Sequence, residues 1–162
     1  MCENSGVMTR SSLASRDWLV AGVGAGLVSG VTLAAFAAFA ELRTGQPVSA
    51  TYTFLASAVG GASLGEGPSA VALGVLVLFA GTILWAFGYI HAARKQPQLL
   101  TRPLVSGAGF GVVVWFVTQV VLVGVGRYTP PTTYTFDRDM VAFLLFFGIP
   151  LAFVAARLLR AK

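Results

Sequence analysis

Four stretches of this chain, Trp18–Ala40, Ala70–Ala92, Pro103–Gly126 and Met140–Leu159, are apolar throughout and hold no Asp, Glu, Lys or Arg apart from Arg157. Each reaches about 20 residues, which at about 1.5 Å per residue is enough helix to cross a hydrocarbon core about 30 Å thick. In lipid a backbone can satisfy its N–H and C=O groups only as a helix or a closed barrel. Barrel strands would alternate polar and apolar residues over about ten positions. These stretches do not alternate, so they are helices.

The rest of the composition agrees. Only 10% of the 162 residues are charged and the mean hydropathy is +0.80, whereas a water-soluble domain is about a quarter charged. The net charge of +5 is the usual excess of Lys and Arg that holds loops on the cytoplasmic side. No basic stripe with interleaved aromatics points to nucleic acid. Cys2 is the single cysteine, which excludes an intramolecular disulfide and thiol–disulfide exchange through a CxxC pair.

The connections between spans are short. The longest, Glu41–Gly67, contains Pro47–Val59 followed by Gly60-Gly61, with Val48, Tyr52, Leu55 and Val59 at helical spacing. Proline at the start and glycine past the end predict a short interfacial or re-entrant helix near 47–59. Arg10, Arg16, Arg94, Lys95, Arg102, Arg157, Arg160 and Lys162 fall on one side of such a bundle, and Arg43, Arg127 and Arg138 on the other. That bias predicts cytoplasmic N- and C-termini. Arg10 and Arg16 before a run ending Ala38-Phe39-Ala40 also fit a cleavable signal peptide, although the run is long for one.

The chain also repeats itself. Leu19–Val28 (LVAGVGAGLV) matches Leu104–Val113 (LVSGAGFGVV) at six positions, and Thr51-Tyr52-Thr53-Phe54 recurs as Thr133-Tyr134-Thr135-Phe136. Phe79-Ala80-Gly81 aligns loosely with Phe146-Phe147-Gly148. The expected fold is therefore an all-α integral membrane protein. Residues 1–17 form a cytoplasmic tail, and residues 18–162 form one transmembrane domain of four helices. It is built as two parallel helix–loop–helix repeats, about 18–95 and 103–159, with an axis along the membrane normal.

Small residues mark the expected packing faces. Gly22, Gly26 and Gly30 follow a four-residue spacing in the first span, Gly74, Gly81 and Gly88 a seven-residue spacing in the second, and Gly107 and Gly111 stand in the third. Without a hydrophobic force between helices in lipid, such stripes supply close van der Waals contact. The first and third spans are expected to meet at the bundle centre through these glycines. Gln119, Thr118, Thr82 and Trp115 are a possible polar lining, and Pro150 should kink the fourth span. Trp18, Tyr89, Tyr128 and Tyr134 at span ends fit an aromatic belt.

Catalytic and metal motifs are missing. His91 is the only histidine, too few for paired haem ligation or a zinc site. Gly60-Gly61-Ala62-Ser63 and Gly65-Glu66-Gly67 lack the strand and the GK[ST] ending of a phosphate-cradling loop and have no base for serine hydrolysis. No carboxylate lies within an apolar stretch, as a proton-coupled cation exporter of this size would need. No catalytic residue, metal or cofactor is expected.

In its Gly-rich first and third helices, the Tyr52-Thr53-Phe54 segment and Thr129-Pro130-Pro131, the layout resembles the small four-helix bacterial inner-membrane proteins of the YagU-like kind. The resemblance implies an inner-membrane location and brings no established activity. The sequence thus favours a non-enzymatic scaffold or accessory subunit, in contact with the lipid bilayer and with other membrane proteins or further copies of itself. The alternative is a small channel or transporter for a neutral or apolar solute. A dry, closely packed bundle centre belongs to the first and a lined cavity to the second.

The orientation is open to direct test. Single cysteines at positions 5, 98 and 132 in a Cys2→Ser background should react with an impermeant thiol reagent, added outside intact cells, only at Thr132→Cys; labelling of Ser5→Cys or Gln98→Cys would overturn it.

Overall fold

The computed structural model describes residues 5–61, 67–124 and 133–160, with side-chain surroundings for 17–61, 67–124 and 138–159. Tyr128 and Thr129-Pro130-Pro131 lie outside the described residues, as do Ala62, Ser63, Gly65 and Glu66. The helices are α1 (Ser5–Thr44), α2 (Ala50–Gly60), α3 (Gly67–Lys95), α4 (Gln98–Thr101), α5 (Pro103–Gly124), α6 (Thr133–Ala142) and α7 (Ile149–Arg160). A π-helical turn, Phe143–Gly148, joins α6 to α7. No strand occurs among the described residues. Four helices are long and apolar enough to cross a membrane: Asp17–Thr44, Gly67–Lys95, Pro103–Gly124 and Arg138–Leu159. Their exposed side chains, among them Leu27, Val31, Leu76, Leu84, Phe116 and Val120, are apolar, as a lipid-facing surface requires. This is a four-span, all-α membrane protein. The helix that opens it begins well before the first apolar stretch: residues 5–17, expected as a tail, continue α1 without a break.

The spans pair differently from the expectation. A Cβ built on Gly26 would lie 2.6 Å from the Ile83 backbone, and those on Gly22 and Gly30 would strike Phe87, Phe79 and Thr82. The stripe on α1 therefore receives α3, not α5. A Cβ on Gly107 would lie 2.5 Å from the Gly148 carbonyl oxygen, and one on Gly111 2.5 Å from that of Phe143. The α5 glycines thus receive the fourth span, and α1 and α5 make no substantial contact. The other face of α1, with Ala21, Ala25 and Ser29 fully buried, packs on the fourth span. Two adjacent faces of α1 thus serve two partners, which makes it the central helix.

The aligned residues of the two matched stretches act alike. Gly22 and Gly107 are aligned, as are Gly26 and Gly111, and all four sit at a close approach to the next span. The facing positions are Ile83 and Phe143–Leu144, so the loose alignment of Phe79 with Phe146 is out of register by about one to two turns. Gly148 joins the packing glycines: its own Cβ would meet the Gly111 Cα at 2.9 Å. Carbonyls this near a glycine Cα fit Cα–H···O contacts. Gly81 and Gly88 do not pack, for a methyl on either would meet nothing within 4 Å. Gly74 packs, but against the backbone of Tyr52 in α2.

That contact fixes α2. Its first turn lies against Gly74, seven residues or about 10 Å along α3, so α2 packs beside the first part of α3. The helix starts three residues after Pro47, because Pro47–Ser49 form a turn in which the Pro47 carbonyl accepts from the Ala50 N–H at 2.9 Å. It stops at Gly61, whose φ of +89° is open to glycine and costly for other residues.

Pro150 produces a change of winding. Proline has no N–H, so a carbonyl one turn earlier loses its helical donor. The preceding six residues wind as a π turn, with the Ile149 N–H bonded to the Leu144 carbonyl. The Phe146 carbonyl accepts instead from the Thr32 hydroxyl of α1. That hydroxyl also lies 3.0 Å from the Ser29 carbonyl and 3.1 Å from that of Val28, and its single proton serves one acceptor at a time. Phe36 stacks on Phe146 beside it, with centroids 4.6 Å apart.

Two predictions follow from these contacts. In thermal unfolding in detergent, Gly26→Leu and Gly111→Leu should fail to give a folded bundle, since overpacking against backbone costs about 1–3 kcal/mol or more. Gly88→Ala should be neutral or slightly stabilising, because it adds helix propensity in open space; equal behaviour of the three would overturn the pairing. Thr32→Val should cost about 1 kcal/mol in the wild type and little in a Pro150→Ala background, where the restored N–H at position 150 can satisfy Phe146. A double-mutant cycle with no coupling would break the link between the two residues.

Candidate solute cavity

The two seams on either side of the bundle differ in width. Between α1 and the fourth span stand Ala21, Ala25 and Ser29; the aligned positions of α5 carry Ser106, Phe110 and Val114. The small set allows close packing. The larger set holds α3 and α5 apart, so they meet through long side chains. Phe110 lies edge-on to Trp85 at 6.2 Å and to Tyr89 at 5.1 Å. Tyr89, expected in an aromatic belt, is buried. Its hydroxyl shares a hydrogen bond with Ser106 at 2.9 Å and reaches the Leu99 carbonyl at 3.2 Å. The Ser106 hydroxyl lies 2.6 Å from that same carbonyl. Trp85, Tyr89, Phe110 and Leu99 thus close the end of the bundle that carries the α3–α5 connection. On the outside of that end the Arg94 guanidinium lies over the Trp18 ring at 3.0 Å, a cation–π contact.

Toward the opposite end no aromatic fills the gap. A half-open cavity of about 610 Å³ lies there, bordered by residues of α1, α2, α3, α5, α6 and the π turn. Its lining falls into two zones by helix register. Leu33, Phe36, Leu78 and Phe143 form an apolar floor. Glu41 stands eight residues beyond Leu33, about 12 Å further along α1. Glu41, Thr44, Gln46, Thr118, Gln119, Arg138 and Asp139 form a polar upper zone. Thr44 and Gln46 are exposed, so the cavity reaches the surface there. Of the expected polar lining, Gln119 and Thr118 face this space. Thr82 and Trp115 do not line it. Thr82 is buried against Gly30 and donates to the Phe79 carbonyl at 3.0 Å. Trp115, at the position aligned with Gly30, is buried in the bundle.

Glu41 is the residue that sequence reasoning placed wrongly. It follows the first apolar stretch and was expected in a loop, yet α1 runs on to Thr44 and Glu41 is only 8% exposed. Its Oε1 accepts from the Thr51 N–H in the first turn of α2. Ser49 stands at the cap position in helical conformation and makes no side-chain cap, so the carboxylate of α1 does that work and meets the positive end of the α2 dipole. Burial, and then the charge of Glu41, push the Tyr52 phenol above its usual range.

One oxygen of Glu41 remains. Oε2 is buried and has no hydrogen-bond partner among the described residues, and the same holds for Oε1 of Gln119. Arg138 does not reach Glu41; its Nη2 is paired with Asp139 Oδ1 at 3.0 Å. Among the described residues the lining therefore holds two carboxylates and one guanidinium. No group of three His, Cys, Asp or Glu side chains converges among the described residues, and His91 is exposed at the closed end. The arrangement can bind and orient a small molecule.

No protein-family model, curated protein or solved structure matches the chain.

Proposed function

We propose that this protein is a small membrane channel or transporter whose binding site is the cavity between α1, α2 and α5. The observation that carries this reading is the cavity itself. Its volume lies within the usual span for small-molecule sites, about 300–1,000 Å³, and its apolar body with a few convergent polar groups has the usual chemistry of such sites. A scaffold held together by helix packing calls for a bundle centre that is dry along its whole length. The aromatic-sealed half answers to that description; the half that holds Glu41 and Gln119 does not.

In this reading the protein lies in the bacterial inner membrane with its termini in the cytoplasm, in keeping with its Lys and Arg distribution. The cavity then faces outward, and the Trp85–Tyr89–Phe110 cluster is the inner barrier that must part for transport. The shared role of the aligned pairs Gly22/Gly107 and Gly26/Gly111 supports a twofold repeat, with alternating access as the relative motion of its halves. A kinship with the YagU-like proteins remains compatible with this and contributes no activity.

Flux across proteoliposomes tests the proposal. A panel of small neutral and amphipathic solutes should include at least one that crosses faster than in protein-free vesicles. Leu33→Trp, which fills the cavity floor, should return that rate to the baseline while the variant unfolds at an unchanged temperature. If no solute crosses faster with wild-type protein, or if Leu33→Trp leaves flux intact, the cavity is not a transport site and the scaffold reading replaces it.

A further inference from the structure

The cavity selects a class of solute. Among the described residues the Glu41 side chain is more than nine-tenths buried, lines the space, and leaves Oε2 without a partner. An unpaired carboxylate oxygen in a site of low polarity is costly to leave unsatisfied. Gln119 contributes a second buried oxygen without a donor, although its amide could turn to present nitrogen instead. What these groups lack is a hydrogen-bond donor. The charge balance adds to this. Among the described residues Asp139 is matched by Arg138, and Glu41 is the lining carboxylate that no cation matches. Among the described residues at this end, the further cation Arg43 is exposed and lies over the Phe39 ring at 5.9 Å. It does not line the cavity.

A bare metal ion has little to hold it, because no group of three His, Cys, Asp or Glu side chains converges there among the described residues. Leu33, Phe36, Leu78 and Phe143 instead offer an apolar bed about 12 Å long below the carboxylate. Resting on the transport reading above, we infer that the solute is an amphipathic organic ammonium, its N–H groups donating to Glu41 Oε2 and its hydrocarbon body lying on the Leu33–Phe143 floor. Thr51 keeps the other carboxylate oxygen, so the ion both anchors the ligand and holds α2 in place. The same chemistry is available from a free alkylamine and from the ammonium headgroup of phosphatidylethanolamine.

Binding of radiolabelled octylammonium, octanol and octanoate to the full chain in phosphatidylcholine nanodiscs, corrected with empty discs, decides the matter. Octylammonium should bind saturably and at least about tenfold more tightly than octanol, the margin that a charge-assisted hydrogen bond gives, and octanoate should be excluded. Glu41→Gln keeps an acceptor for the Thr51 N–H and should remove this preference while octanol binding persists. If that variant does not fold, the comparison of the three ligands on wild-type protein still stands. Displacement of octylammonium by phosphatidylethanolamine incorporated in the disc would assign the site to the lipid, and its absence to a free amine. Equal binding of octylammonium and octanol, or a preference that survives Glu41→Gln, overturns the ammonium assignment and leaves the transport reading intact. Absence of saturable binding for all three, together with flux at the protein-free baseline, would remove both.

Discussion

The bundle depends on backbones that touch. In water a helix pair is driven together by burial of apolar surface, but a lipid tail is as apolar as leucine and that drive vanishes. What remains is van der Waals contact, which falls away steeply with distance. Glycine at 26, 107, 111 and 148 removes the side chain from the contact line, and the facing backbone of Ile83, Gly148, Phe143 or Gly107 occupies the space. These contacts set the two tight pairs, α1 with α3 and α5 with the fourth span. All other spacings in the molecule follow from how those two pairs meet.

They meet unevenly. Alanine and serine on α1 let the fourth span close on it, while phenylalanine and valine at the aligned places on α5 keep α3 at a distance. A bundle with one narrow and one wide seam cannot be filled along its whole length by the side chains it has. Trp85, Tyr89 and Phe110 fill the wide seam at one end. At the other, α2 is laid in as an extra wall, held by Gly74 and by the carboxylate of Glu41. The cavity is the space this wall does not fill.

The parts visible in the sequence were those with a local signature. Four uncharged runs give four spans because hydrocarbon tolerates nothing else. Gly61 announces the end of α2, since a left-handed residue is needed there. Partner choice was not visible: a stripe such as Gly22/Gly26/Gly30 says that something comes close and is silent about what, and α1 turned out to receive α3 on it. Gly81 and Gly88 show the converse, glycines in register that meet nothing. Gln119 and Thr118 were legible as cavity residues because a polar side chain in lipid must face inward. Glu41 was not, because a charge next to an apolar run reads as the end of a span. Only the fold shows that α2 returns to cover it. Pro150 signalled an irregularity, but the carbonyl it frees is satisfied by Thr32, 114 positions before that carbonyl in the chain, which no local pattern encodes.

The π turn carries one more implication. Relative to α-helix, a single π turn accommodates one extra residue, and one residue is worth about 100° of rotation about the axis. The described side chains of α6, from Arg138 to Ala142, are therefore turned by that amount relative to α7, compared with an unbroken helix. Arg138, Asp139 and Ala142 border the cavity while Leu151, Ala152 and Ala155 stay buried in the bundle. A regular helix would present one of these sets correctly and swing the other away. The inserted residue lets one rod obey two azimuths, so that the half that packs and the half that lines the cavity can each be tuned by substitution without disturbing the other.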